Sequence, residues 1–240
     1  MQPMISVCQV SKAFGNVQVL RDVSLQVDAA ELFGLIGLNG IGKTTLIKVM
    51  LDLIRADAGQ VHLLGRISSD YKAREHVMYV PEKTSPNRNL KGVEYITLTL
   101  QAYRHRVSTV LMEEAAAAFQ LDPAALYKTL RQCSKGMGQK LALMAAFLSP
   151  APLLILDEPM SGLDPLARHA VKQQMRAAQG SGRTVFFSSH ILADMDEICN
   201  RVAVIHDGTL RYTGDASGLR TQFGAGSLEE VFLRAIGHAA

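Results

Sequence analysis

The run Gly37-Leu38-Asn39-Gly40-Ile41-Gly42-Lys43-Thr44 restricts what this chain can fold into more than any other stretch. It matches the pattern GxxxxGK(S/T) and follows the short apolar run Leu32-Phe33-Gly34-Leu35-Ile36. It precedes Leu46, Ile47, Met50, Leu53 and Ile54, whose spacing predicts one helix. Strand, glycine-rich loop, helix is the order that lets a backbone wrap phosphate. The glycines allow successive N–H groups to turn inward, and the start of the helix adds partial positive charge. Lys43 then reaches the β- and γ-phosphates of a nucleotide, and the Thr44 hydroxyl ligates Mg²⁺. From typical residue frequencies the pattern arises by chance in roughly one chain of this length in a hundred, so its flanks carry the decision. A glycine-rich turn with no ligand is the competing reading.

A second element narrows the class. Leu153-Leu154-Ile155-Leu156-Asp157-Glu158-Pro159 is an aliphatic strand ending in two carboxylates, which places them at the carboxyl edge of a sheet, where α/β proteins bind ligands. Asp157 suits Mg²⁺ and its waters, and Glu158 suits a base that orients or deprotonates water; a solvated turn is the bland alternative. Around these motifs, alternation at Ile5 and Val7 and again at Val23, Leu25 and Val27, separated by Gly15-Asn16, predicts an antiparallel layer. A strand over 60–64 joins it. Buried strands are expected at 77–80, 153–156, 184–187 and 202–205. Helices are expected over 93–103, 108–119 and 135–148. Asp164 and Pro165 start a further helix that stops near Gly180, and another follows His190 with Ile191, Leu192, Met195 and Ile198 on one face. The expected fold is an α/β core with an antiparallel β layer, interrupted by a helical insertion.

Composition sets the remaining bounds. With 48% hydrophobic and 20% charged residues over 240 positions, the chain can bury a substantial core. Its longest apolar run, 141–148, falls far short of the roughly 20 residues a membrane helix needs. The opening MQPMISVCQV lacks the charged start and apolar block of a signal peptide, so the protein is expected to stay where it is made. Cys8, Cys133 and Cys199 are widely spaced and form no CxxC pair, which argues for plain thiols over a disulfide framework or a zinc site. A net charge of +3 is too mild to imply nucleic acid. Locally, Lys83, Arg88, Lys91, Arg104 and Arg106 face only Glu94, which reads as a solvated helix face or a contact with an anionic surface.

Several further motifs carry a resemblance. MSGLD spans 160–164, SSH ends at His190, YVPEKTSP contains Glu82, and SKAFGN contains Phe14. With GLNGIGKTT and LLILDEP they stand in the order found in the nucleotide-binding subunit of ATP-binding-cassette (ABC) transporters, which the chain resembles over essentially its whole length. GLNGIGKTT is similar to the first Walker motif and LLILDEP to the second. MSGLD resembles the D-loop and SSH the switch-histidine motif. Glu82 stands where the family commonly has glutamine, and Phe14 matches the aromatic that stacks on adenine; an ordinary core aromatic is the alternative. CSKGMGQK, 133–140, falls where the family carries its signature sequence, usually LSGGQ, with Ser134 and Gly136 at the serine and second-glycine positions.

The resemblance implies a P-loop NTPase core with an antiparallel β subdomain and an inserted α-helical subdomain. It implies a single ABC ATPase domain over 1–240: 1–82 and 151–225 as core, 83–150 as the helical signature subdomain, and 226–240 as a C-terminal tail. ATP and Mg²⁺ are the implied cofactors, with Gly37 through Thr45 and Phe14 on the nucleotide, and Thr44, Asp157 and Glu82 on the metal. Lys43, Glu158 and His190 carry the chemistry. Ser134 and Gly136 meet ATP bound to the opposite subunit of a homodimer. Transmembrane permease subunits are the implied partners, with no nucleic acid, at the cytoplasmic face of the cell membrane. SKGM, the proline-glutamate pair at Pro81-Glu82 and the C-terminal SLEEVFLRAIG resemble cassettes of drug, ion and polysaccharide exporters. Lys135 and Met137 depart from the family's glycine and glutamine, and Leu38 from a frequent proline. Two other readings compete: a cassette clamp acting in DNA repair or translation, and a nucleotide-gated binding module without turnover.

Overall fold

The computed structural model describes residues 2–83 and 87–237. Thr84, Ser85 and Pro86 of the YVPEKTSP run, Met1 and the last three residues of the tail lie outside the described residues.

Alternating apolar residues near the N-terminus produce two long antiparallel strands, β1 (Ile5–Phe14) and β2 (Val17–Val27). Gly15, at φ +57°, supplies the left-handed turn between them. Ile5 lies opposite Val27 and Val7 opposite Leu25, so both strands send their apolar side chains to one face. β4 (Ala58–Leu63) pairs with the other edge of β1, and the short β5 (Arg66–Ile67) completes a sheet of order β2-β1-β4-β5.

The second sheet is built on β3 (Leu32–Ile36), β6 (Val77–Val80), β7 (Leu153–Leu156), β8 (Thr184–Ser189), β9 (Arg201–His206) and β10 (Thr209–Gly214), in the order β10-β9-β3-β8-β7-β6. Every neighbouring pair is parallel except the β9–β10 hairpin, which turns at Asp207-Gly208 with both residues at positive φ. The parallel strands are covered on both faces, which is why they read as continuous apolar runs. Phe33, Leu35, Ile155 and Phe186 pack toward the antiparallel sheet and α1 (Lys43–Met50). Leu32, Ile36, Leu154, Leu156 and Phe187 pack on the opposite side, against the remaining helices.

Those helices are α2 (Gly92–Gln101), α3 (Thr109–Ala118), α4 (Lys135–Leu148), α5 (Pro165–Gly180), α6 (Leu192–Ile198), α7 (Ala216–Phe223) and α8 (Leu228–Ala235). α5 starts and stops where Asp164-Pro165 and Gly180 predict. α8 buries Leu228, Val231 and Phe232 in the helix-side core, so this part of the tail is docked.

One helix is shorter than its spacing predicts. α1 ends at Met50, and Leu53 is 59% exposed. The Asp52 N–H bonds to the Val49 carbonyl and the Leu53 N–H to the Lys48 carbonyl, while Asp52 adopts φ +54°. These are the two bonds of a Schellman stop, with aspartate in the place usually held by glycine. The sequence therefore carried no glycine to announce it.

Candidate active site

The carboxyl ends of β3, β7 and β8 lie side by side, and three motifs far apart in the chain meet there. Gly37 leaves β3 in a position with no room for a side chain: a Cβ there would stand 2.8 Å from Ile41 Cγ2 and 2.9 Å from the Ile205 carbonyl. Gly42, at φ +111°, caps α1 in a backbone conformation that β-carbon-bearing residues rarely adopt. The loop between them curls around Lys43, which is only 5% exposed. Its Nζ donates to the Gly37 carbonyl at 2.7 Å and the Leu38 carbonyl at 3.2 Å, and lies 3.0 Å from Glu158 Oε1.

The two carboxylates at the end of β7 differ in surroundings. Asp157 is fully buried; its Oδ1 accepts from the Ser188 hydroxyl at 2.6 Å, and its Oδ2 has no protein hydrogen-bond partner. Tyr79 lies nearby on β6, and its hydroxyl is pushed up to about 12, first by burial and then by the Asp157 charge, so it stays protonated. Glu158 adopts φ +48°, and its N–H donates to Ser188 Oγ at 2.9 Å. Its Oε2 is 2.9 Å from His190 Nδ1. An ionised carboxylate can only accept, so in that pairing Nδ1 carries the proton. Oε1 is paired with Lys43 by charge and proximity, without a well-directed hydrogen bond.

His190 owes its place to two anchors of α6. Gly34 of β3 admits Met195 and Cys199 so closely that a Cβ would sit 2.5 Å from the Met195 sulfur. On the other side, the buried Asp194 takes Arg168 of α5 at 2.5 Å and Lys172 at 3.4 Å.

A cavity of about 390 Å³ opens over this edge. Of the residues singled out in the sequence, it brings together Leu38, Asn39, Gly40, Gly42, Lys43, Thr44, Thr45, Glu82, Glu158 and His190. Asp157 lies buried next to Glu158, behind that lining. Phe14 ends β1 at 48% exposure with the Lys12 ammonium 5.4 Å from its ring centre, so it is no core aromatic; it does not line the cavity. Ser134 and Gly136 are also elsewhere. Ser134 caps α4 by accepting from the Met137 N–H at 3.2 Å, and a Cβ on Gly136 would lie 3.9 Å from the Gly162 carbonyl. Ser161 lines the cavity and Ser188 bridges the carboxylates, yet neither was assigned from sequence. Both sit inside quoted motifs, MSGLD and SSH, whose letters were the available signal.

These residues fit MgATP. Asp157 Oδ2 is a buried oxygen left without a protein partner, next in sequence to Glu158, which lines the cavity together with Thr44 and Glu82. Among the described residues no group of three or more His, Cys, Asp or Glu forms a cage for a metal. Magnesium suits such a site, because it is held by one or two side chains together with substrate phosphates and water. Among the described residues no helix is long and apolar enough to cross a membrane.

Comparison with known proteins follows the same line. A family model described as ABC transporter matches residues 20–161. The chain is 37% identical over 202 residues to an ABC transporter ATP-binding protein of Synechocystis, covering 83% of this chain but only 57% of that protein's length. It is 34% identical over 238 residues to the ABC-type transporter ATP-binding protein EcsA of Bacillus subtilis, covering 96% of this chain and 95% of that one. The Nod factor export ATP-binding protein I of Burkholderia lata is 33% identical over 208 residues, 83% of this chain and 66% of its own. The solved structure of an ATP binding subunit of an ABC transporter superposes with a TM-score of 0.89 at 32% identity, over 97% of this chain and 99% of that one. With more than half of its length matched by the family model and a relative aligned almost end to end, this chain belongs to the ABC transporter family.

Proposed function

We propose that this chain binds and hydrolyses ATP as the nucleotide-binding subunit of an exporter, closing as a homodimer around two MgATP and driving separate membrane-spanning subunits. The observation that carries the reading is the meeting of Lys43, Glu158 and His190 at one glycine-wrapped cavity. Lys43 shares its charge between loop carbonyls and Glu158, and phosphate oxygens are the natural replacement for those partners. Freed from Lys43, Glu158 accepts a proton from water while His190 holds its other oxygen. Thr44, Asp157 and Glu82 are the groups that hold Mg²⁺, which supplies charge neutralisation on the β- and γ-phosphates. Phe14, exposed at the end of β1, is available to an adenine ring.

Ser134 and Gly136 belong in this scheme to the site of the opposite subunit. Their place on an exposed helix start, outside this chain's own cavity, supports that assignment, since helix N-termini favour phosphate. The chain is read as one cassette domain, with 1–82 and 151–225 as core, 83–150 as the signature subdomain facing the permease, and 226–240 as tail. Its place is then the cytoplasmic face of the membrane, with no nucleic-acid partner. Relatives named as transporter subunits favour this over a mechanical clamp, and a relative named for Nod factor export favours export. Glu158→Gln tests the chemistry: phosphate release should fall by about 10²–10⁴-fold while ATP binding persists, and an undiminished rate would remove Glu158 from its role.

A further inference from the structure

We infer that Ser188 is the positioning residue that sets both acidic groups of the site, dedicating one oxygen of Asp157 to the metal and fixing the backbone of Glu158. The inference rests on the MgATP reading above and adds to it a role for Ser188, the first residue of the SSH run, to which the sequence assigned none. Ser188 is the penultimate residue of β8 and is fully buried. A serine hydroxyl has one proton to give. Because Ser188 Oγ accepts from the Glu158 N–H at 2.9 Å, that proton goes to Asp157 Oδ1 at 2.6 Å.

Two consequences follow. Occupation of Oδ1 stops the Asp157 carboxylate from exchanging its oxygens, and Oδ2 remains the one with no protein partner. Partners of this kind, one step behind a metal ligand, orient it and tune its affinity. The second consequence concerns Glu158, whose φ of +48° is a conformation that residues with a β-carbon seldom adopt. Its buried N–H is satisfied by Ser188 and by no ladder partner, so the same hydroxyl holds the strained backbone in place. Two residues on, His190 grips the other end of Glu158 through its carboxylate. The edge of β8 thus fixes Glu158 at both its N–H and its side chain.

The test uses the intact chain with a non-hydrolysable ATP analogue and Mn²⁺ as the probe, read by electron paramagnetic resonance. Ser188→Ala should weaken Mn²⁺ in the ternary complex by about tenfold or more, with metal-free analogue binding held within about twofold. Its kcat should fall without a matching rise in KM for ATP. Ser188→Cys keeps the side-chain shape with a slightly larger and weaker donor and should fall between the two, which provides a reading even if the alanine variant folds poorly. Wild-type Mn²⁺ affinity in a folded Ser188→Ala or Ser188→Cys variant would overturn the inference alone. Failure of the wild-type protein to form any Mn²⁺–nucleotide complex would overturn the MgATP reading and this inference together.

Discussion

The edge of β3, β7 and β8 and the head of α4 are both rich in groups suited to phosphate, yet they are built on opposite terms. At the sheet edge, Lys43 and Glu158 are buried charges, Glu158 and Gly42 sit at positive φ, and Asp157 Oδ2 has no protein partner. Nothing comparable strains the head of α4. Ser134 lies exposed in an ordinary extended conformation and caps its own helix. A region that holds strain and unmet polar capacity is finished by a ligand, whereas a region already satisfied can be offered to a second molecule without rearrangement. In our reading, these are the two halves of a site that no single chain completes.

The largest effect that can break this contrast comes from Lys43→Ala. Removing the cation from the phosphate cradle should lower ATP turnover by about 10²–10³-fold, measured as steady-state phosphate release. Ser134→Ala should likewise disable turnover, but its cost in stability should be only about 1 kcal/mol, that of a lost helix cap, seen in denaturant melts. The contrast sharpens when the two inactive variants are mixed. If the halves come from different chains of a symmetric pair, half of the dimers are mixed and each holds one intact site, so roughly a quarter of wild-type activity returns. Mixtures that stay inactive would place Ser134 and Lys43 in the same chain's site.

The smallest effect concerns Asp164, which starts α5 directly after the MSGLD turn. Its carboxyl is held below the ordinary 3.8, first by the Ala167 N–H and more weakly by Lys140. A carboxylate depressed in the folded state contributes stability that is present above the unfolded value and fades as pH falls through the lower folded one. Melting temperature should therefore show a shallow loss below about pH 4 that Asp164→Asn reduces without removing, because Asp57, Glu197 and Asp215 are held low as well.

Much of the frame was legible because local physics dictated it. The strand-loop-helix order around Lys43, the aliphatic run before Asp157 and the proline-started α5 each follow from short-range rules. The end of α1 was not legible, since Asp52 closes it where the usual signal is glycine. Ser188 and Ser161 escaped for a different reason: a serine's partner depends on which strand lies beside it, and no periodicity records that.

The amino-acid sequence by itself determined the glycine-wrapped loop, the paired carboxylates and the caps, because each is a property of contiguous residues, and the family resemblance, because its motifs stand in a set order along the chain. Tertiary structure alone decided that β8 lies between β3 and β7, with Leu35 beside Ser188 and Leu156 beside Phe187. That order brings residues 43, 158, 188 and 190 within hydrogen-bonding reach and leaves Ser134 outside their cavity. A strand buried on both faces is apolar whatever its neighbours are, so only the packing of the whole sheet could choose them.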